Sequence, residues 1–291
     1  MTSNPAAQVI PAQTLDNYTF PTDRLRLTQN HPEKTPLVLV ACGSFSPITY
    51  LHLRMMEMAA DFCKFNTEFE LLSGYFSPVS NFYKKAGLAS SEHRLNMCEL
   101  AVQSSNWLMV DPWEALQTEY TPTALVLDHV EHEINKVMGG AIRPDGSRVP
   151  VRIALLAGAD LIETMSIPGV WSEADLQHIL GQYGTFIVER TGTDIEDALA
   201  SLEQYKRNIY VIQQLVTNDI SSTKIRLFLR KEMSVQYLLP APVIEYIEEH
   251  HLYEEDGASS ISAGKSKAAE GSGRASPAVG DSKLKNQGGN S

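Results

Sequence analysis

Residues 36–52, PLVLVACGSFSPITYLH, decide the fold. The first half is a short apolar run rich in valine and leucine, the pattern of a strand buried on both faces. Gly43 and Ser44 end that run in a tight turn. Leu51, Met55, Met58 and Phe62 then recur at helical spacing to about Phe65. A strand, a glycine turn and a helix open a βαβ unit.

The pattern repeats outward from there. Residues 69–75, 107–110, 151–157, 183–189 and 209–215 read as further strands. Residues 91–104, 121–138 and the segments from Ser222 and from Ala241 read as helices, with 139–148 a polar loop. The alternation predicts an α/β fold, a Rossmann-like parallel sheet with helices on both faces. Such sheets bind ligands at the carboxyl ends of their strands, where the turns after Cys42 and Ala157 fall.

Composition sets the bounds. At 291 residues with 43% apolar content, the chain can bury a sizeable core. No run reaches the ~20 apolar residues of a membrane span, and residues 1–30 show no secretory pattern. Cys42, Cys63 and Cys98 form no C-x-x-C pair, so reduced thiols and a soluble protein of the nucleus or cytoplasm are expected. A net charge of −11 argues against a protein that coats nucleic acid, yet a local basic pocket could still hold a small polyanion. Residues 1–34 lack apolar periodicity and read as a flexible extension. Residues 254–291 are rich in Gly, Ser, Ala and Lys and read as a disordered tail, leaving 35–253 as the domain.

Two helix starts carry chemistry. In the first, Gly43 lets backbone approach a phosphate and Thr49 can cap the helix. His52 then falls at the third helical position, among amides that attract anions. Alone, such a histidine could equally be a packing residue. The turn lacks the further glycines of a dinucleotide fingerprint, and no P-loop is present. In the second, Ser221 and Ser222 can cap a helix whose first turn, with Thr223, makes another anion cradle. Arg226 follows one turn later with a planar fork suited to phosphate. One ligand carrying several phosphates accounts for both. Asp128, His129, Glu131, His132 and Glu133 crowd one helix without metal-ligand spacing and read as a solvated face.

G-S-F-S-P-I-T-x-x-H followed by I-S-S-T-K-I-R resembles the eukaryotic nicotinamide/nicotinate mononucleotide adenylyltransferases, within the wider T/H-x-G-H nucleotidyltransferase superfamily. Ser77-Pro78-Val79, Tyr83-Lys84-Lys85, residues 110–114 (VDPWE), 158–161 (GADL) and 168–171 (PGVW) extend the likeness over about 36–253. Leu51 stands where most superfamily branches carry glycine, as in the eukaryotic branch. The resemblance implies transfer of the adenylyl group of ATP to nicotinamide mononucleotide, and to nicotinate mononucleotide, giving NAD or deamido-NAD and pyrophosphate. It implies His52, Arg226 and Lys85 as the catalytic cations, with Gly43, Ser44, Phe45, Gly158, Asp160, Ser222 and Thr223 beside ATP. It places Ser44, Phe45, Tyr83, Lys85, Tyr120, Thr123, Val170 and Trp171 around the mononucleotide. Mg2+ is expected on the ATP phosphates, mostly with its own waters, and a homo-oligomer is expected. Another phosphate acceptor, or a fold kept for binding without turnover, are the rival readings.

Overall fold

The structure is a computed structural model that describes residues 14–189 and 195–254. The strands and helices, in chain order, are β1 (Thr35–Gly43), α1 (Tyr50–Asn66), β2 (Phe69–Pro78), α2 (Ser91–Val102), β3 (Leu108–Val110) and α3 (Thr123–Glu131). There follow β4 (Ala141–Ile142), β5 (Arg148–Val149), β6 (Arg152–Gly158), α4 (Ala159–Ser166), α5 (Glu173–Leu176) and β7 (Thr185–Val188). The chain closes with α6 (Ile195–Ser201), β8 (Ile209–Ile212), α7 (Ser222–Arg230) and α8 (Ala241–Glu249).

Six parallel strands form one sheet in the order β3-β2-β1-β6-β7-β8. The first three strands step outward to one edge and the rest return from β1 to the other. That reversal opens a crevice beyond the carboxyl ends of β1 and β6, the place where open α/β sheets bind ligands. The alternation of side chains along β1 supplies both layers of the core. Leu37, Leu39 and Ala41 pack with Met56, Met97 and Ile244 from α1, α2 and α8. Val38 and Val40 pack on the other side with Val126 and Ile162 from α3 and α4.

Three features differ from the expectations above. Residues 14–34 pack on the domain rather than extending from it: Phe20 is buried, and Arg24 donates to the carbonyls of Val102 and Leu108 at 2.7 and 2.8 Å. Single anchors of this kind have no period to read. Residues 1–13 and 255–291 lie outside the described residues. The loop 139–148 contributes β4 and half of a small antiparallel hairpin with β5. The charge-rich stretch after Thr123 is largely partnered rather than solvated. His129 stacks on Trp113 with ring centroids 4.2 Å apart, and Asp128 accepts from the Tyr183 hydroxyl and pairs with His178.

Candidate active site

A cleft of about 740 Å³ opens at the β1 and β6 carboxyl ends, walled by the start of α1, the start of α7 and the first turn of α4. Gly43, Ser44, Phe45 and His52 line one side. Gly158 and Asp160 line the floor, and Lys85, Ser222, Thr223 and Arg226 complete it. The two anion-ready helix starts, at Tyr50 and Ser222, therefore face one cavity.

The β1–α1 turn is shaped to aim His52. Thr49 is the N-cap of α1, and its backbone N–H donates to His52 Nδ1 at 2.9 Å. An imidazole whose Nδ1 accepts carries its single proton on Nε2. Burial lowers the His52 pKa to about 4, so at physiological pH the ring is not the cation the resemblance implied but a neutral imidazole that offers Nε2–H as a donor. Phe45 meets the His52 ring edge-on at 5.2 Å and Phe76 at 5.3 Å, which fixes the ring's slot. Phe45 adopts φ 42°, a strained value for a bulky residue, and its ring crowds Gly43: a Cβ there would lie 3.0 Å from Phe45, so the ring would have to shift. At Gly158 an added Cβ would meet nothing, so that glycine keeps the floor of the cleft open.

The α7 side is anchored rather than open. Arg226 is buried and donates from Nη1 to the Ser46 carbonyl at 2.9 Å, and from Nη2 to Thr223 Oγ1 at 3.4 Å. Ser222 donates its hydroxyl to the Pro47 carbonyl at 2.8 Å, and Ser221 caps the helix by accepting from the Lys224 amide. Thus α7 grips the β1–α1 turn while its guanidinium borders the cleft.

Sequence reasoning missed one supporting cation. Arg94 on α2 is fully buried and donates to the carbonyls of Ser44 (3.0 Å), Val79 (2.6 Å) and Ala89 (3.0 Å). A charged residue on the buried face of a helix was the available signal. Two buried acids sit behind Cys42, which also lines the cleft. Glu114 accepts from Ser77 Oγ at 2.6 Å and is pushed up by burial to about 8, and burial pushes Asp111 to about 6. Desolvation, then Glu114 and Asp111, raise the Cys42 thiol well above its usual range, so it stays a thiol.

Tyr83, Tyr120, Thr123, Val170 and Trp171 lie outside the cleft lining. Two of them approach it through neighbours. Tyr83 stacks with Tyr120 at 6.2 Å and lies two residues before Lys85, whereas Trp171 Nε1 donates to Thr164 Oγ1 at 3.1 Å, and Thr164 faces the cleft.

Residues 40–228 match the cytidylyltransferase-like family model. The chain is 58% identical over 253 residues to nicotinamide/nicotinic acid mononucleotide adenylyltransferase 1 of Saccharomyces cerevisiae, covering 86% of this chain and 63% of that protein. It is 38% identical to nicotinamide/nicotinic acid mononucleotide adenylyltransferase 1 of Bos taurus, across 76% of this chain and 90% of the bovine one. The chain belongs to the nicotinamide/nicotinic acid mononucleotide adenylyltransferase family. It spans just under two thirds of the length of that yeast member of the family. The solved structure of Plasmodium falciparum nicotinic acid mononucleotide adenylyltransferase complexed with APC shares the fold, with a TM-score of 0.54 at 22% identity, over 75% of this chain and 96% of that one.

Proposed function

We propose that this protein transfers the adenylyl group of ATP to nicotinamide mononucleotide, and also to nicotinate mononucleotide, releasing pyrophosphate and forming NAD or deamido-NAD. The observation that carries this reading is the convergence of the α1 and α7 N-termini, His52, Lys85 and Arg226 on one cleft. Membership of the adenylyltransferase family supplies the acceptor.

A 5′-phosphate oxygen of the mononucleotide attacks the α-phosphorus of ATP, and the bond from that phosphorus to the oxygen bridging the β-phosphate breaks. No covalent enzyme intermediate is needed. The protein must hold two polyanions together and stabilise the charge that spreads onto oxygen. His52 Nε2–H, the Lys85 ammonium and the Arg226 fork are donors placed for that charge. First-turn amides of α1 and α7 add to them. Gly158 and Asp160 take the adenosine side. Tyr83, Tyr120, Thr123, Val170 and Trp171 take the nicotinamide ribotide.

Magnesium enters with ATP as the MgATP substrate. Among the described residues no three His, Cys, Asp or Glu side chains group to hold a metal, and an ion carried by ATP phosphate oxygens and its own waters needs no such group. The ion neutralises phosphate charge when bound. Among the described residues, no helix is long and apolar enough to cross a membrane. We extend the reading to a homo-oligomer of the nucleus or cytoplasm, which light scattering and cell fractionation test. Formation of dinucleotide and pyrophosphate from MgATP and each mononucleotide tests the activity itself.

A further inference from the structure

The last described turn of the chain reaches back to the catalytic loop. Helix α8 ends in a Schellman closure: the Leu252 amide donates to the Ile247 carbonyl at 3.0 Å and the His251 amide to the Glu248 carbonyl at 3.3 Å. His251 takes the left-handed conformation at φ 50° that this closure needs. The chain then continues through Tyr253, also left-handed at φ 67°. For a residue with a large side chain that conformation is strained and persists only where surrounding contacts hold it.

The Tyr253 ring packs against the core layer of α1, α2 and α8, and its hydroxyl is held by Ser46. The Tyr253 hydroxyl and Ser46 Oγ lie 2.8 Å apart, and Ser46 Oγ also accepts the Ala89 amide at 3.0 Å. Ser46 is fully buried, follows Phe45 in the β1–α1 turn, and gives its carbonyl to Arg226. The Arg226 and Arg94 guanidiniums both act on the Tyr253 hydroxyl electrostatically. A single serine thus receives the loop before α2 and the turn after α8 on its side chain, and α7 on its carbonyl.

We infer that Tyr253 is a positioning residue for the adenylyl transfer proposed above: through Ser46 it fixes the β1–α1 turn in the form that aims Arg226 and the α1 N-terminus at the triphosphate. The inference rests on that functional reading for its kinetic consequences and on the hydrogen bonds alone for its structural ones. Tyr253 touches no reacting atom. Its loss loosens the turn without removing any phosphate-binding group.

The test uses the full-length chain carrying Tyr253→Phe, Ser46→Ala or both. The expected result for Tyr253→Phe is a kcat/KM for ATP about tenfold lower, with the mononucleotide KM within about twofold of wild type. The thermal midpoint should stay close to wild type, and amide exchange over residues 44–52 should quicken. Because Tyr253 acts through Ser46, the double variant should be no worse than Ser46→Ala alone. Ending the chain after Leu252 should reproduce Tyr253→Phe, and ending it after Glu254 should not. Wild-type kinetics in Tyr253→Phe, multiplying effects in the double variant, or equal loss in both truncations each overturn the inference. A wild-type protein that makes no dinucleotide overturns the proposed function instead. The exchange measurement then still decides: faster exchange of 44–52 supports the hold by Tyr253, and unchanged exchange overturns it.

Discussion

The backbone amide of Thr49 donates to Nδ1 of His52 across 2.9 Å, so the residue that caps α1 also sets the tautomer of the histidine at the cleft. The capping interaction that starts the helix and the contact that orients the ring are one and the same. With Nδ1 occupied and burial holding the pKa near 4, the ring presents Nε2–H throughout the neutral range.

His52→Ala is therefore expected to lower kcat by roughly a hundredfold or more, the scale of one preorganised donor to developing charge. The KM for mononucleotide should change little. Steady-state rates with each substrate varied in turn check this, and a variant that keeps half of the wild-type kcat contradicts the assignment. Because the His52 pKa is lowered, wild-type activity should show no loss from His52 protonation until the pH approaches 5 or below.

Glu114 gives the protein a stability slope of definite sign. Its folded pKa, about 8, lies above the value near 4.5 of an unfolded chain, so between those pH values the folded state binds the extra proton and stability falls as pH rises. Glu114→Gln keeps an acceptor for Ser77 and cannot ionise. Its thermal midpoint, compared with wild type, should climb steadily from pH 5 to pH 8, by ~2–4 °C for each kcal/mol recovered. A difference that stays flat or shrinks over that range would mean Glu114 is ionised in the folded protein.

Much of this architecture was legible in the sequence, for physical reasons. The run ending at Cys42 is buried on both faces, so it cannot be confused with a half-exposed strand, and a helix does follow it, although its buried residues are Met56, Met58, Ala59 and Cys63 rather than Leu51, Met55 and Phe62. The juxtaposition of His52 with Arg226 was legible because both follow strand ends of one parallel sheet. Helix α4 was hidden because it starts at Ala159 directly from β6, with Gly158 as its cap and no polar boundary between. The loop-holding roles of Arg94 and Tyr253 were hidden because their partners are carbonyls and a serine from distant segments, and hydrogen bonds to backbone leave no pattern in residue types. His129 carries a polar letter but packs flat on Trp113, so reading the helix by charge alone missed its buried face.

Trp171 separates acceptor binding from packing. It is nearly buried and bonds Thr164, so Trp171→Phe, which keeps a ring, is the informative partner to Trp171→Ala. Trp171→Ala should raise the mononucleotide KM about fivefold or more, the ~1 kcal/mol scale of an aromatic contact, with the ATP KM nearly unchanged. Trp171→Phe should recover most of that affinity. An ATP KM that rises alone would put Trp171 on the other side of the reaction.

In the proposed function, one cleft brings MgATP and a pyridine mononucleotide together for adenylyl transfer. The direct measurement is to incubate the purified full-length protein with MgATP and either nicotinamide or nicotinate mononucleotide, then quantify dinucleotide and pyrophosphate. Both acceptors should yield dinucleotide, with one pyrophosphate released for each dinucleotide formed, and His52→Ala should sharply slow both. Pyrophosphate without dinucleotide, or no product from either acceptor, would contradict it.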